Sequence, residues 1–242
     1  INITNMATKT ILLFLSAILC SLTLHAQPQW YYPEAKSFNA AIPTPEKFLG
    51  YAIGSHHTRH DQVIAYFREL DRLSDRMNLR ELGETFEHRM QVTAIVTSVN
   101  NHKNLDKIRT EHLQRNSNGI PLIIQLGYNV HGNEPSSTEA ALLTAYYLVA
   151  SEDAETLKWL DEMVILVDPS YNPDGRDRHT HWANMHKGSP MVADPLDREH
   201  NEVWPGGRTN HYWFDLNRDW FLAVNPESRN RLKFFHEWRP YV

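Results

Sequence analysis

The sequence predicts an α/β fold, with a mixed, largely buried sheet and helices on both faces, incomplete at its C-terminal end. Three observations carry this reading. Apolar runs of strand length occur at residues 122–128 and 163–167, each bounded by turn or helix-start residues. Helical patterns alternate with them, the arrangement expected where helices cover a sheet. A hairpin signal precedes both.

The elements follow in order. After a Pro-rich segment of residues 27–49, residues 61–73 carry Val63, Ile64, Phe67, Leu70 and Leu73 at the spacing of an amphipathic helix. The stretch LRELGETFEHRMQVTAIVTS then reads as a hairpin, with its turn near Glu84 to His88 and its second strand in the apolar run 92–99. NLDKIRTEHL reads as a short helix. The strand 122–128 leads into a loop holding His131 and Glu134, and Pro135, Ser136 and Ser137 signal the start of a helix running to Ala150. A short helix through residues 157–160 precedes the strand 163–167, and the turn NPDG follows at residues 172–175. From Arg176 to Arg208 no periodicity survives, which predicts a long loop, and loops of that length are mostly functional. Residues 226–238 form a last helix with Leu232, Phe235 and Trp238 on one face, ended by Pro240. Tyr241 and Val242 read as the first residues of a further strand, whose absence would leave the apolar run 164–167 uncovered.

Composition narrows the function classes. The 242 residues are 41% hydrophobic and 22% charged, the balance of a soluble globular chain with one large core. A net charge of -5 with both signs mixed argues against a nucleic-acid partner. Residues 1–26 are upstream residues and a secretory signal peptide: Lys9 precedes an apolar run over 11–24, with cleavage near Ala26, although Leu24 is bulkier than usual there. That run is too short to span a bilayer comfortably. Cys20, the sole cysteine, lies inside it and follows Leu19, so neither a lipid anchor nor a disulfide is expected, and no stable membrane anchor. The protein is expected to be secreted or periplasmic, beginning near Gln27.

His131, Gly132, Asn133 and Glu134 stand at the end of a strand, where open α/β sheets place their sites. A tight loop with imidazole and carboxylate aimed at one point suits zinc, which in catalytic sites takes three protein ligands and one water. By itself the pair also fits a loop histidine with a carboxylate at the start of a helix. Further motifs stand downstream. YNVHGNEPSSTEAAL, YNPDGRDR and FDLNRDW together resemble, in order and spacing, the zinc carboxypeptidase family, whose members resemble carboxypeptidase A. The likeness runs from about Gly50 to Val242, which is taken as the catalytic domain.

The resemblance implies specific roles. His131 and Glu134 become the first two ligands of one Zn2+, and Asn217 and Arg218 the pair that grips the free C-terminal carboxylate of a peptide substrate. Guanidinium suits that task because it binds carboxylate bidentately. Asp215 becomes a partner behind His131 that fixes its tautomer and ring orientation. The family's oxyanion-stabilising arginine has no match: Lys187 stands at the aligned position, with Arg176 and Arg178 nearer the turn. His179, His181, His186 and His200 fit rim or structural positions as well as site positions, and none of them is assigned as a ligand. The third ligand, the general-base glutamate and the substrate-binding tyrosine of the family all lie beyond Val242, so the chain reads as an amino-terminal fragment, inactive alone. The implied activity is that of a secreted metallocarboxypeptidase. The alternatives are a zinc amidase or deacylase on the same scaffold, or a secreted peptide- or glycan-binding protein with a decayed site.

Overall fold

The structure is a computed structural model that describes residues 31–32, 37–115 and 119–241. The chain divides into two units, Ile1–Glu34 and Ala35–Val242, and everything below concerns the second. The expected signal segment, its cysteine and Val242 lie outside the described residues.

The elements are α1 (Pro45–Leu49), α2 (His60–Leu73), β1 (Met77–Glu84), β2 (Met90–Val96), α3 (Val99–His102), α4 (Leu105–Leu113), β3 (Leu122–Gly127), α5 (Pro135–Ala150), α6 (Ala154–Glu162), β4 (Met163–Asp168), α7 (Pro173–His186) and α8 (Pro226–Trp238). Among the described residues they form a four-stranded mixed sheet of order β1-β2-β4-β3. β1 and β2 make the antiparallel hairpin, β2 pairs antiparallel with β4, and β4 pairs parallel with β3. The parallel pair is joined through α5 and α6, the crossover that parallel strands require.

The alternation of side chains along the strands divides the core. Ile95, Ile123, Val164 and Leu166 face Ile108 of α4 and Phe234 and Trp238 of α8. The intervening residues Ala94, Val96, Ile165 and Val167 point to the opposite face and are equally buried. α2 and α5 pack on each other. The continuous burial of β4 from Val164 to Asp168 is the mark of a strand covered on both faces.

Three expectations need correction. The apolar run of β4 is not left uncovered, because β4 lies inside the sheet between β2 and β3. Tyr241 instead donates its N–H to the Ile123 carbonyl at 2.8 Å, laying the chain along β3. The buried face of α8 is Glu227, Ser228, Arg231, Phe234 and Trp238, whereas Phe235 is exposed. Hydrophobicity misassigned that face because three of its five residues are polar.

The third correction concerns residues 176–208, whose first third is helix α7 rather than loop. Asn172 caps it by accepting from the Gly175 N–H at 2.9 Å, and Pro173 supplies the preset φ of a first turn. Its inward residues are Asp174, Arg176, Asp177, Thr180 and Ala183. Ion pairs accompany the burial of the charged ones: Arg89 reaches Asp174 at 2.9 Å and Asp177 at 2.7 Å. A helix buried through charge carries no apolar stripe to read.

Candidate functional site

The site begins where β3 ends. Asn129 organises the turn from Tyr128 to Glu134, with its backbone left-handed at φ 57°, a region asparagine tolerates. Its buried amide donates to the His131 carbonyl at 2.9 Å and lies 3.4 Å from those of Gly132 and Glu134. Ser137 Oγ accepts its N–H at 2.8 Å, and Ser170, just after β4, donates to its Oδ1 at 2.9 Å. Asn129, through its backbone N–H and its side chain, thus ties the loop to two other segments. Gly132 lets the loop lie directly on the first turn of α7, since a Cβ there would run into the backbone of Gly175 and Arg176.

Arg176 supports the loop from behind. Its fully buried guanidinium donates to the Thr58 and Pro135 carbonyls, each at 3.0 Å, and to Glu139 at 2.6 Å. Burial lowers its pKa, an effect the Glu139 carboxylate opposes. With its donors so committed, Arg176 has no free fork to offer an oxyanion.

His131 and Glu134 come together as side chains. Nδ1 of His131 lies 2.9 Å from Glu134 Oε1, and its Nε2 lies 2.9 Å from Asp215 Oδ1. A ring that donates Nε2–H to Asp215 presents a lone pair at Nδ1. A lone pair facing a carboxylate oxygen is repulsive unless a proton or metal ion stands between them. The half-exposed Glu134 carboxylate and the His131 Nδ1 would together hold such an ion. Nitrogen and oxygen donors also suit zinc. These residues therefore fit two ligand positions of such a centre. Among the described residues no group of three His, Cys, Asp or Glu is placed to hold a metal.

Asp215 joins this loop to the second half of the site. The same Oδ1 that meets His131 accepts the Asn217 N–H at 2.9 Å, which caps the single 3-10 turn Leu216–Arg218. Oδ2 accepts from Arg208 at 3.1 Å. Burial works to raise the Asp215 pKa, but the His131 contact and the Asn217 N–H outweigh it and hold the carboxylate below its ordinary range. Leu216, fully buried, anchors the turn while Asn217 and Arg218 stay exposed. Trp220 donates its indole N–H to Asn217 Oδ1 at 2.8 Å. Arg218 reaches only the Asn217 carbonyl at 3.2 Å and has no carboxylate partner among the described residues.

The remaining candidates are placed as follows. Lys187 caps the end of α7 with its N–H on the Ala183 carbonyl, and its charge acts on His57. Arg178 donates to the Gly206 and Asn210 carbonyls at 2.8 and 3.2 Å. His186 and His200 bond backbone carbonyls of Trp182 and Val192, and His181 is exposed. His179 pairs with Glu202 at 3.0 Å, and Glu202 accepts from Asn133 at 2.6 Å. Asn133 lies between the two candidate ligands. The segment after α7 is thereby braced against the loop of His131 and Glu134.

Sequence reasoning missed Asn129, Glu202, Trp220 and Arg231. Asn129 alone left a signal, an asparagine directly between a strand end and a tight loop. Glu202 and Arg231 act across the fold and left none.

Comparisons with known proteins identify the family and the fold. The zinc carboxypeptidase family matches residues 63–236. Carboxypeptidase A from Helicoverpa armigera superposes with a TM-score of 0.52 at 18% identity, over 83% of this chain and 46% of its own. A putative carboxypeptidase A from Shewanella denitrificans gives 0.49 at 17% identity, over 76% and 38%. A metallo-carboxypeptidase from Burkholderia cenocepacia gives 0.47 at 17%, over 73% and 37%. The chain thus spans less than half the length of each of these structures. No curated protein matches.

Proposed function

Because this chain belongs to the zinc carboxypeptidase family, we propose that the whole protein is a secreted or periplasmic zinc metallocarboxypeptidase that removes C-terminal residues from peptides. The observation that supports this most is the imidazole of His131 held between Asp215 and Glu134, with Nδ1 turned toward the carboxylate. In this reading His131 and Glu134 hold the ion, with a third donor supplied from beyond the described residues. When bound, zinc polarises the scissile carbonyl and makes a water nucleophilic at neutral pH.

The chain's own residues do the rest of the positioning. Asp215 fixes the His131 tautomer, so that Nδ1 keeps its lone pair for the ion. Through the same oxygen it sets the Leu216–Arg218 turn at a fixed distance from the metal loop. Arg218, exposed and unpaired with any carboxylate among the described residues, receives the terminal carboxylate of the peptide, and Asn217 adds an amide donor. Localisation rests on the signal-like segment of residues 1–26; N-terminal sequencing of the mature protein is expected to begin near Gln27.

Arg218→Ala in the zinc-loaded whole protein tests the substrate class. Turnover of a blocked dipeptide with a free carboxylate is expected to fall about 10- to 150-fold, the equivalent of one charge-assisted hydrogen bond of roughly 1.5–3 kcal/mol. Its C-terminal amide is expected to change little. Equal loss on both substrates would remove the clamp assignment and favour an amidase on this scaffold.

A further inference from the structure

The amide of Asn217 has two ends with opposite preferences, and a carboxylate ligand accepts hydrogen bonds only. What turns the NH2 end toward the ligand is therefore a specificity question. The Trp220 indole N–H is a donor with no acceptor capacity, and it lies 2.8 Å from Asn217 Oδ1. It holds the carbonyl end, and Asn217 Nδ2 has no partner among the described residues.

The indole is itself clamped. The Arg231 guanidinium lies 3.5 Å from the Trp220 ring centroid and 4.8 Å from that of Tyr171, and those two rings meet edge to face at 5.8 Å. Arg231 is 2% exposed, and none of its three guanidinium nitrogens has a hydrogen-bond partner among the described residues. A buried cation without hydrogen bonds is costly. Its compensation comes from the two aromatic faces and from the nearby Asp168 and Asp219 carboxylates. That arrangement serves packing poorly but fixes the plane of a half-exposed tryptophan well.

We infer that Trp220, held by Arg231, is a positioning residue that sets the polarity of the Asn217 amide and so makes the clamp select a carboxylate over a carboxamide. This rests on the clamp reading given above. A carboxamide end-group carries its own NH2 donor and gains from an amide free to turn its oxygen outward. A carboxylate gains only from NH2. Trp220 thus enforces the difference.

Trp220→Phe keeps the ring under Arg231 and removes the donor. In the zinc-loaded whole protein, KM for a blocked dipeptide with a free carboxylate is expected to rise about five- to tenfold while kcat stays within about twofold. The carboxylate-to-amide ratio of kcat/KM should fall by the same factor. Should the phenylalanine variant not fold, 3-benzothienylalanine at position 220, which replaces the N–H by sulfur at nearly constant shape, decides the matter by the same readout. An unchanged KM and ratio in either variant, with Asn217→Ala still lowering the ratio, would overturn this inference and leave the clamp intact. An unchanged ratio in both Asn217→Ala and Arg218→Ala would overturn the clamp, and the role of Trp220 with it.

Discussion

The proposed metal loop and the proposed clamp turn share one carboxylate oxygen, Asp215 Oδ1, yet are built in opposite ways. His131 is 5% exposed and its loop is held by Asn129, Arg176, Ser137 and the Asn133–Glu202 contact. Asn217 and Arg218 lie in the open on a single turn, oriented by Asp215 and Trp220. A metal centre needs donors fixed to fractions of an ångström, which buried hydrogen bonds supply. A substrate grip needs an unpaired, accessible charge, and an arginine already satisfied by a partner would be useless for it. The difference teaches that damage to the first region should cost stability and metal together, whereas damage to the second should cost substrate binding alone.

The largest break comes at the ligands. His131→Ala or Glu134→Ala in the whole protein is expected to abolish zinc retention and reduce hydrolysis to background, measured by metal analysis after dialysis and by turnover. Next is the support behind the loop. Glu139→Ala strips the buried Arg176 charge of its only carboxylate partner among the described residues, and denaturant unfolding should show a loss of about 3–5 kcal/mol. Arg218→Ala should leave the unfolding midpoint unchanged, and a comparable drop in both variants would erase the contrast.

Asp215→Asn tests the junction between the regions. Zinc affinity should weaken about 10- to 100-fold, because the amide no longer enforces the Nε2–H tautomer of His131. Arg208→Ala, which removes an exposed partner of the same carboxylate, should change stability by less than about 1 kcal/mol.

A pH dependence also arises beside the proposed metal loop. His57 packs edge to face on His179, which holds Glu202 and through it Asn133. Burial and the neighbouring His179 lower the His57 pKa to about 4 from an ordinary 6.5. Between these values the unfolded chain binds more protons than the folded one. Stability is therefore full above pH 6.5 and lost as the pH falls toward 4. His57→Phe should flatten that acid limb in denaturant titrations at stepped pH. An unchanged limb would assign the acid loss to other groups.

Much of this architecture was legible in the chain. Val63, Ile64, Phe67 and Leu70 mark α2 because apolar burial repeats at the helical period, and Met163 to Val167 mark a strand buried on both faces. α7 was not legible, since Arg176 and Asp177 reach the interior through ion pairs that no hydrophobic pattern records. The same blindness hid the face of α8 that carries Arg231. Residues quoted in the motifs fared differently. His131, Glu134 and Asp215 do meet in space, although nothing in their spacing shows which ring nitrogen faces which carboxylate.

By itself the sequence determined the alternation of strands and helices, the helix start at Pro135, and the presence of imidazole, carboxylate and guanidinium in family-like order. These follow from short-range rules, where a residue's neighbours along the chain settle what it does. Tertiary structure alone decided that Asp215 Oδ1 meets both His131 and the Asn217 N–H, that Arg176 is spent on Glu139, and that Arg231 stacks on the indole beside Asn217. Such contacts join residues as far apart as His131 and Asp215, separated by 84 positions. A hydrogen bond forms only where the packed core brings donor and acceptor within about 3 Å, and local pattern carries no record of that meeting.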